Sequence, residues 1–170
     1  MENLILLLAT TFVLRLSTSR KFKNYFIADT GCSALLFTGE KNFRHTITDT
    51  GDSLFFNEFS ERNITYGVIC IRLKENYELD EASEMLHGYI NKLKGPFYIL
   101  HQTGIQKDVD WNSATTRSFV DYWQDGDMTD WKVKGYTNGK YMAVLYVRNI
   151  NELEVRKQDL FLDSFHFHAA

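Results

Sequence analysis

The sequence predicts an α+β fold, in which helices flank an antiparallel sheet that contains a meander. Three observations lead to this fold class. The spacing of apolar residues changes from two to about 3.6 over residues 79 to 94. An Asn138-Gly139 pair separates two alternating segments, and a second amphipathic segment closes the chain. Helices that interrupt and follow a run of strands pack on the faces of an antiparallel sheet.

Length and composition limit the function classes. The 170 residues match one domain, because domains usually hold roughly 100 to 200 residues. Apolar types make up 44% of the chain, which is enough for a core and excludes a disordered chain. The net charge of -3 gives no broad positive field. We therefore expect no nucleic-acid partner. We also expect a monomer or weak oligomer.

The amino-terminal segment contains an apolar run, Leu4 to Leu14, that is shorter than the about 20 residues a membrane-spanning helix needs. The run and the small residues Ser17 to Ser19 predict a signal peptide over 1–19 and export, to the periplasm or to a membrane surface through the leader. Met1 to Asn3 lacks the usual basic residue, so a retained amino-terminal helix in a cytoplasmic protein is the alternative. In both cases we expect residues 20–170 to form one domain without a transmembrane span.

The first half of the domain reads as strands. Residues 26 to 37 contain the turn signal Asp29-Thr30-Gly31 and predict a hairpin or a kinked strand pair. Leu54 to Phe59 predicts another strand. Ile64 to Leu73 is apolar at both alternating sets of positions, which predicts a central strand covered on both faces.

Residues 79 to 94 predict the best helix of the chain. Its apolar stripe consists of Leu79, Ala82, Met85, Leu86, Tyr89, Ile90 and Leu93. Gly95-Pro96 ends it. Gly88 costs a helix about 1 kcal/mol relative to alanine, so we expect close packing of the backbone at that residue.

The second half predicts a meander and a closing helix. Strands are expected at about 117–123, 131–137 and 140–148, the last two joined by Asn138-Gly139, in which both residues should take positive φ. Asn151 and Glu154 have the spacing of a capping box, which predicts a helix over about 152–164.

The two cysteines, Cys32 and Cys70, are too few for a disulfide framework or a four-cysteine zinc site. Both lie in apolar segments that read as strands. Buried free thiols and a single disulfide both remain open.

The order of these segments resembles that of the PsbP-like domains, the fold of the photosystem extrinsic protein and of many short exported bacterial proteins. The opening FIADTGCSALLFTGEKN looks like the start of the family, although Phe37-Thr38-Gly39 lacks the proline found there. YGVICIRL with the helix after it, WKVKGYTNGKYMAVLYV and KQDLFLDSFHF follow in the family's order. The resemblance covers about residues 25 to 167. It implies an antiparallel sheet with helices on both faces, an accessory or assembly role, and no shared catalytic residues.

Two sets of residues are candidate sites. Carboxylates concentrate in the loops from 108 to 130, and calcium or another divalent cation accepts clustered oxygen ligands without strict spacing. The candidate ligands are Asp108, Asp110, Asp125 and Asp127. Aromatic residues concentrate in the meander, where outward-facing rings would form a recognition surface. The candidates for that surface are Trp111, Trp123, Tyr122 and Tyr136.

The sequence contains no nucleophile-elbow, P-loop, dinucleotide-binding, zinc-protease or Cys-x-x-Cys motif. We therefore assign no catalytic residue, expect no cofactor, and predict a non-enzymatic accessory or binding domain that is exported, with an unknown protein partner or small ligand. One alternative is a metal-dependent enzyme or cation-binding protein that uses the acidic loops at 108–130. The other is an intracellular interaction or immunity-type protein, in which the amino-terminal run packs on the domain.

Overall fold

A computed structural model describes residues 20–108 and 113–168. The strands are β1 (Phe22–Phe26), β2 (Cys32–Phe37), β3 (Arg44–Ile47), β4 (Ser53–Glu61), β5 (Ile64–Arg72), β6 (Ile99–Gln102), β7 (Gln106–Lys107), β8 (Arg117–Asp125), β9 (Asp130–Thr137), β10 (Tyr141–Arg148) and β11 (His166–Phe167). The helices are α1 (Leu79–Leu93) and α2 (Val155–Leu162), and a 3-10 turn, Glu152–Glu154, precedes α2. The predicted leader at 1–19 lies outside the described residues.

Eight strands form one antiparallel sheet in the order β3-β4-β5-β10-β9-β8-β6, with β7 also paired to β8. The predicted meander is present as β8, β9 and β10. Strand β5 lies between β4 and β10 and is buried along most of its length. The α+β fold class, with helices packed on an antiparallel sheet, is confirmed.

Different elements pack on the two faces of this sheet. Helix α1 packs on one face, above a core that includes Leu86, Ile90 and Val144. The other face carries α2 and a second sheet of three strands, in the order β1-β2-β11. The central strands therefore contribute side chains to two cores, which explains why Ile64 to Leu73 is apolar at both sets of positions.

Helix α1 contacts the sheet closely at a residue other than the predicted one. A methyl group on Gly135 of β9 would lie 2.7 Å from Ile90 Cδ1 and 3.2 Å from Leu86 Cδ1, so the ends of these two α1 side chains would have to shift to make room for a larger residue. A methyl group on Gly88 would meet nothing within 4 Å. The expectation of close packing at Gly88 was wrong, because that residue faces away from the sheet.

The hairpin between β9 and β10 is confirmed, with one difference. Of the Asn138-Gly139 pair only Gly139 has a positive φ, of 86°. Asn138 holds the turn with its side chain, because its Oδ1 accepts hydrogen bonds from the backbone N–H groups of Lys140 and Tyr141 at 3.1 and 2.9 Å.

The closing helix is shorter than the predicted 152–164. Asn151 Oδ1 accepts a hydrogen bond from the backbone N–H of Leu153 at 2.9 Å and starts the 3-10 turn, and α2 then ends at Leu162. Across residues 20–108 and 113–168, no helix has both the length and the apolar character to cross a membrane.

Candidate ligand-binding cleft

Helix α1 leaves one end of its sheet face uncovered, and an open cleft of about 490 Å³ lies there. The walls come from β4, β5, the loop that follows α1, the turn between β8 and β9, and the end of β10. Gly95-Pro96 ends the helix before it reaches this end of the sheet. The cleft therefore lies beyond the end of α1, and the loop that follows the helix forms one of its walls.

The ring of Tyr146 packs beside the cleft. It lies flat on β5, so close that a methyl group on Gly67 would be 2.0 Å from the ring. Its hydroxyl donates a hydrogen bond to Glu58 Oε2 at 2.5 Å. Burial raises the pKa of Tyr146, and the hydrogen bond to Glu58 adds to this, so the phenol stays neutral. Phe97 packs against the same ring at 5.2 Å.

Asp125 and Arg148 form the polar wall. Arg148 Nη2 lies 2.9 Å from Asp125 Oδ2, and the guanidinium carbon lies 5.4 Å from the centre of the Trp131 ring. The Trp131 indole N–H donates to the same carboxylate at 2.9 Å. The second oxygen of Asp125 accepts the backbone N–H groups of Asp127 and Thr129, both at 3.0 Å.

These donors control the charge of Asp125. Burial alone would raise its pKa, but the hydrogen bonds from Trp131 and the turn backbone, together with the charge of Arg148, outweigh it and hold the pKa below the ordinary value. Asp125 is thus an anion at neutral pH, and both of its oxygens already accept hydrogen bonds.

The rim exposes aromatic and apolar side chains on a constrained backbone. Tyr98 is 78% exposed and has a φ of 53°, and Met128 is 66% exposed with a φ of 60°. Left-handed backbone at a residue other than glycine costs about 1 kcal/mol or more and concentrates at functional sites. The Gly126 N–H donates to the Tyr98 carbonyl at 3.0 Å and joins the two rim segments.

Of the predicted cation ligands, Asp125 and Asp127 lie together at Arg148, whereas Asp108 lies at the other end of β8. The Asp108 backbone N–H donates to the Ser118 carbonyl at 3.0 Å, at the start of β8, whereas Asp125 ends that strand. Seven residues of strand separate Ser118 from Asp125, which is about 23 Å. Asp108 pairs with Lys134 at 2.7 Å, and Asp127 and Asp125 share Arg148.

Asp110 lies outside the described residues. Among the residues that are described, no group of three or more His, Cys, Asp or Glu side chains could hold a metal ion.

The predicted aromatic surface needs correction at two of its four residues. Trp123 is 2% exposed, because it faces the α1 core and donates its indole N–H to Asp121 Oδ2 at 2.7 Å. Tyr136 is 1% exposed on the opposite face, where its hydroxyl donates to the Leu162 carbonyl at 2.6 Å. Tyr122 is exposed, and Trp111 lies outside the described residues.

Sequence reasoning missed most of the cleft. Glu58, Tyr98 and Arg148 come from three distant segments, and none carries a local motif. The predicted ligands Asp125 and Asp127 do line the cleft. A further usable signal was the aromatic pair Phe97-Tyr98 directly after the helix stop at Gly95-Pro96.

No protein-family model matches the chain, and no curated protein matches its sequence. Its structure is similar to the solution structure of cyanobacterial PsbP (CyanoP) from Synechocystis sp. PCC 6803, with a TM-score of 0.56 and 12% sequence identity. The alignment covers 88% of this chain and 94% of that chain. At this identity the similarity concerns the fold, which is PsbP-like over most of the chain, as the order of segments in the sequence predicts.

Proposed function

We propose that this protein is a non-enzymatic accessory or binding domain and that the cleft beside Tyr98 and Arg148 is its recognition site. The observation that carries the proposal is the combination, in one open cleft of about 490 Å³, of aromatic walls with an excess of carboxylates. The PsbP-like fold adds the accessory role that the family resemblance implies.

Two ionisable groups at the cleft, Asp125 and Tyr146, support binding over catalysis. A general acid or base needs a pKa near the working pH and an open hydrogen-bonding position. The buried carboxylate, Asp125, has its pKa lowered and both oxygens occupied, whereas the pKa of Tyr146 is raised. Neither group is poised to exchange a proton with a substrate at neutral pH.

The charge of the cleft favours a cationic partner. The residues that line the cleft include three carboxylates, Glu58, Asp125 and Asp127, and one guanidinium, that of Arg148, so the lining carries a formal charge of -2. The ring of Tyr98 is free to stack on a cation, as Trp131 already does on Arg148. We propose that the occupant is a lysine or arginine side chain of a protein partner.

The test is a nuclear magnetic resonance titration of the full chain with a short unstructured peptide of alternating arginine and glycine. The amide signals of the residues around the cleft should shift, and an otherwise identical peptide with glutamate in place of arginine should leave them unchanged. Tyr98→Ala should weaken binding of the arginine peptide by about two- to fivefold, the usual size of an exposed cation–π contact. Glu58→Gln should also weaken binding of the arginine peptide, and this loss of affinity should be larger at low salt than at high salt, because salt screens the attraction between the charges.

The matched control is Tyr122→Ala. Tyr122 is also exposed, but it stacks with Lys132, which pairs with Asp159 of α2 on the opposite sheet face. Its loss should leave the affinity unchanged. Equal shifts with the glutamate peptide, or equal losses in both alanine variants, would overturn the assignment of the cleft.

We also propose that the domain acts outside the cytoplasm, on the signal-peptide pattern of residues 1–19. Mass spectrometry of the protein from its native host tests this. The expected mature chain starts near Arg20, and material that retains Met1 would favour the intracellular interaction protein instead.

A further inference from the structure

The two cysteines of the chain meet between the two sheets. Cys32 begins β2 of the small sheet, and Cys70 lies in β5 of the large sheet. Both belong to the core that the two sheets share, with exposures of 1% and 0%. Their thiols are hydrogen-bonded to each other. Within residues 20–108 and 113–168, no strand pairing joins the two sheets, so this contact links separate layers of the fold.

The position of Cys32 is set by a tight turn. Ile27 N–H donates to the Cys32 carbonyl at 2.9 Å, and the Cys32 N–H donates to Thr30 Oγ1 at 3.0 Å. Cys70 is held by backbone pairing on both sides, to Phe55 of β4 and Ala143 of β10. Both cysteines are therefore held on fixed backbone, and the hydrogen bond between their thiols brings the two sulfurs next to each other, which a disulfide also requires.

We propose that Cys32 and Cys70 form a disulfide under oxidising conditions and that this bond locks the three-stranded sheet onto the eight-stranded sheet. The bond would close a loop from residue 32 to residue 70 and restrict the unfolded chain. This inference stands independently of the cleft and its partner.

The oxidant is a disulfide such as oxidised glutathione. The Cys32 thiolate attacks one sulfur of the oxidant, forms a mixed disulfide and releases the first glutathione thiolate. The Cys70 thiolate then attacks the Cys32 sulfur, forms the intramolecular bond and releases the second glutathione thiolate. The two cysteines lose two protons and two electrons in total, and the oxidant is reduced to two thiols.

The order of attack follows from the hydrogen bond between the thiols. That bond, which Cys70 donates, holds the pKa of Cys32 below its ordinary value, and the same bond together with burial raises the pKa of Cys70. Cys32 also pairs with β11, a strand of only two residues, whereas Cys70 is paired on both sides within the large sheet. Fraying of β11 would admit the oxidant to Cys32 first.

The experiment equilibrates the reduced full chain with oxidised glutathione in sub-denaturing urea, which speeds local opening, and then traps the remaining thiols with a maleimide under denaturing conditions. We expect a monomer that has lost two hydrogens and carries no maleimide. Its Tm should exceed that of the reduced protein by on the order of 5–10 °C, and dithiothreitol should reverse the change. Since the chain contains only 2 cysteines, an intramolecular disulfide can join no other pair.

Cys70→Ser is the matched variant, because it retains the attacking thiol and removes the resolving one. It should accumulate a glutathione adduct on Cys32 and show no rise in Tm. The proposal fails if the wild-type protein keeps both thiols free at equilibrium, stops at the glutathione adduct, forms disulfide-linked dimers, or becomes less stable when the internal bond forms.

Discussion

The ring of Tyr146 lies across the backbone of β5, and this position is open only because residue 67 has no side chain. Gly67→Ala would place a methyl group 2.0 to 2.5 Å from three ring atoms. Because the ring is buried and its hydroxyl is bonded to Glu58, it has little room to move. We expect a loss of about 2–3 kcal/mol in the free energy of unfolding, measured by urea denaturation.

Gly88→Ala is the control for this substitution. Residue 88 lies inside α1, and an added methyl group meets nothing within 4 Å. Alanine is the better helix former by about 1 kcal/mol, so this variant should gain stability. If the two variants changed stability equally, crowding by Tyr146 would not be the cause at Gly67.

Asp125 makes the free energy of unfolding of the protein depend on pH. Its pKa in the folded protein is held below the ordinary value of 3.8, mainly because hydrogen bonds from Trp131 and the turn backbone outweigh burial. The ionised carboxylate thus adds stability above that value, and the contribution disappears as the pH falls through the lowered pKa. We expect the free energy of unfolding to drop between about pH 5 and pH 2.

Asp125→Asn should remove part of this dependence. The amide keeps an oxygen for the backbone N–H groups of the turn but turns an NH₂ towards the buried indole N–H of Trp131. We expect a loss of about 1–3 kcal/mol at pH 7 and a shallower decline towards pH 2. Asp127→Asn, whose side chain is 84% exposed, should leave both quantities almost unchanged. A decline in Asp125→Asn as steep as in the wild type would assign the acid sensitivity to other carboxylates.

At the scale of single elements, prediction succeeded where local chemistry decides the structure. The Asn138-Gly139 turn and the apolar stripe of α1 each define an element without help from the rest of the chain. The short strands β7 and β11 were not predicted, because a segment of two residues is too short to show the alternation of apolar and polar residues that marks a strand. Such a segment pairs only when a neighbouring strand is already in place. The closing helix was predicted too long, because spacing cannot separate a 3-10 turn from an α-helix.

Helix α2 depends on contacts with the sheet, because eight residues are too few for a stable isolated helix. The Tyr136 hydroxyl donates to the carbonyl of Leu162, the last helical residue, at 2.6 Å. Tyr136→Phe would leave that buried carbonyl without this donor, at a cost of about 1–2 kcal/mol. Hydrogen exchange should rise selectively over residues 155 to 167. Tyr122→Phe, at an exposed ring, should not change exchange there.

At the scale of the whole molecule, the cleft could not be predicted from sequence. Its residues come from five segments that the order of the strands brings to one end of the sheet. The distance between Asp108 and Asp125 along β8 likewise appears only after the register of β7 against β8 is known. Sequence proximity placed these carboxylates in one acidic region, whereas the extended strand between them holds them apart.

This separation leads to a prediction about divalent cations. Calcium gains affinity from several oxygen ligands in one shell, but Asp108 is paired with Lys134, and Asp125 is paired with Arg148 at the other end of β8. We expect millimolar calcium chloride to leave the Tm of the full chain unchanged relative to sodium chloride of equal ionic strength. A saturable rise in Tm that magnesium does not reproduce and that Asp127→Asn abolishes would show instead that the acidic turn after β8 binds calcium.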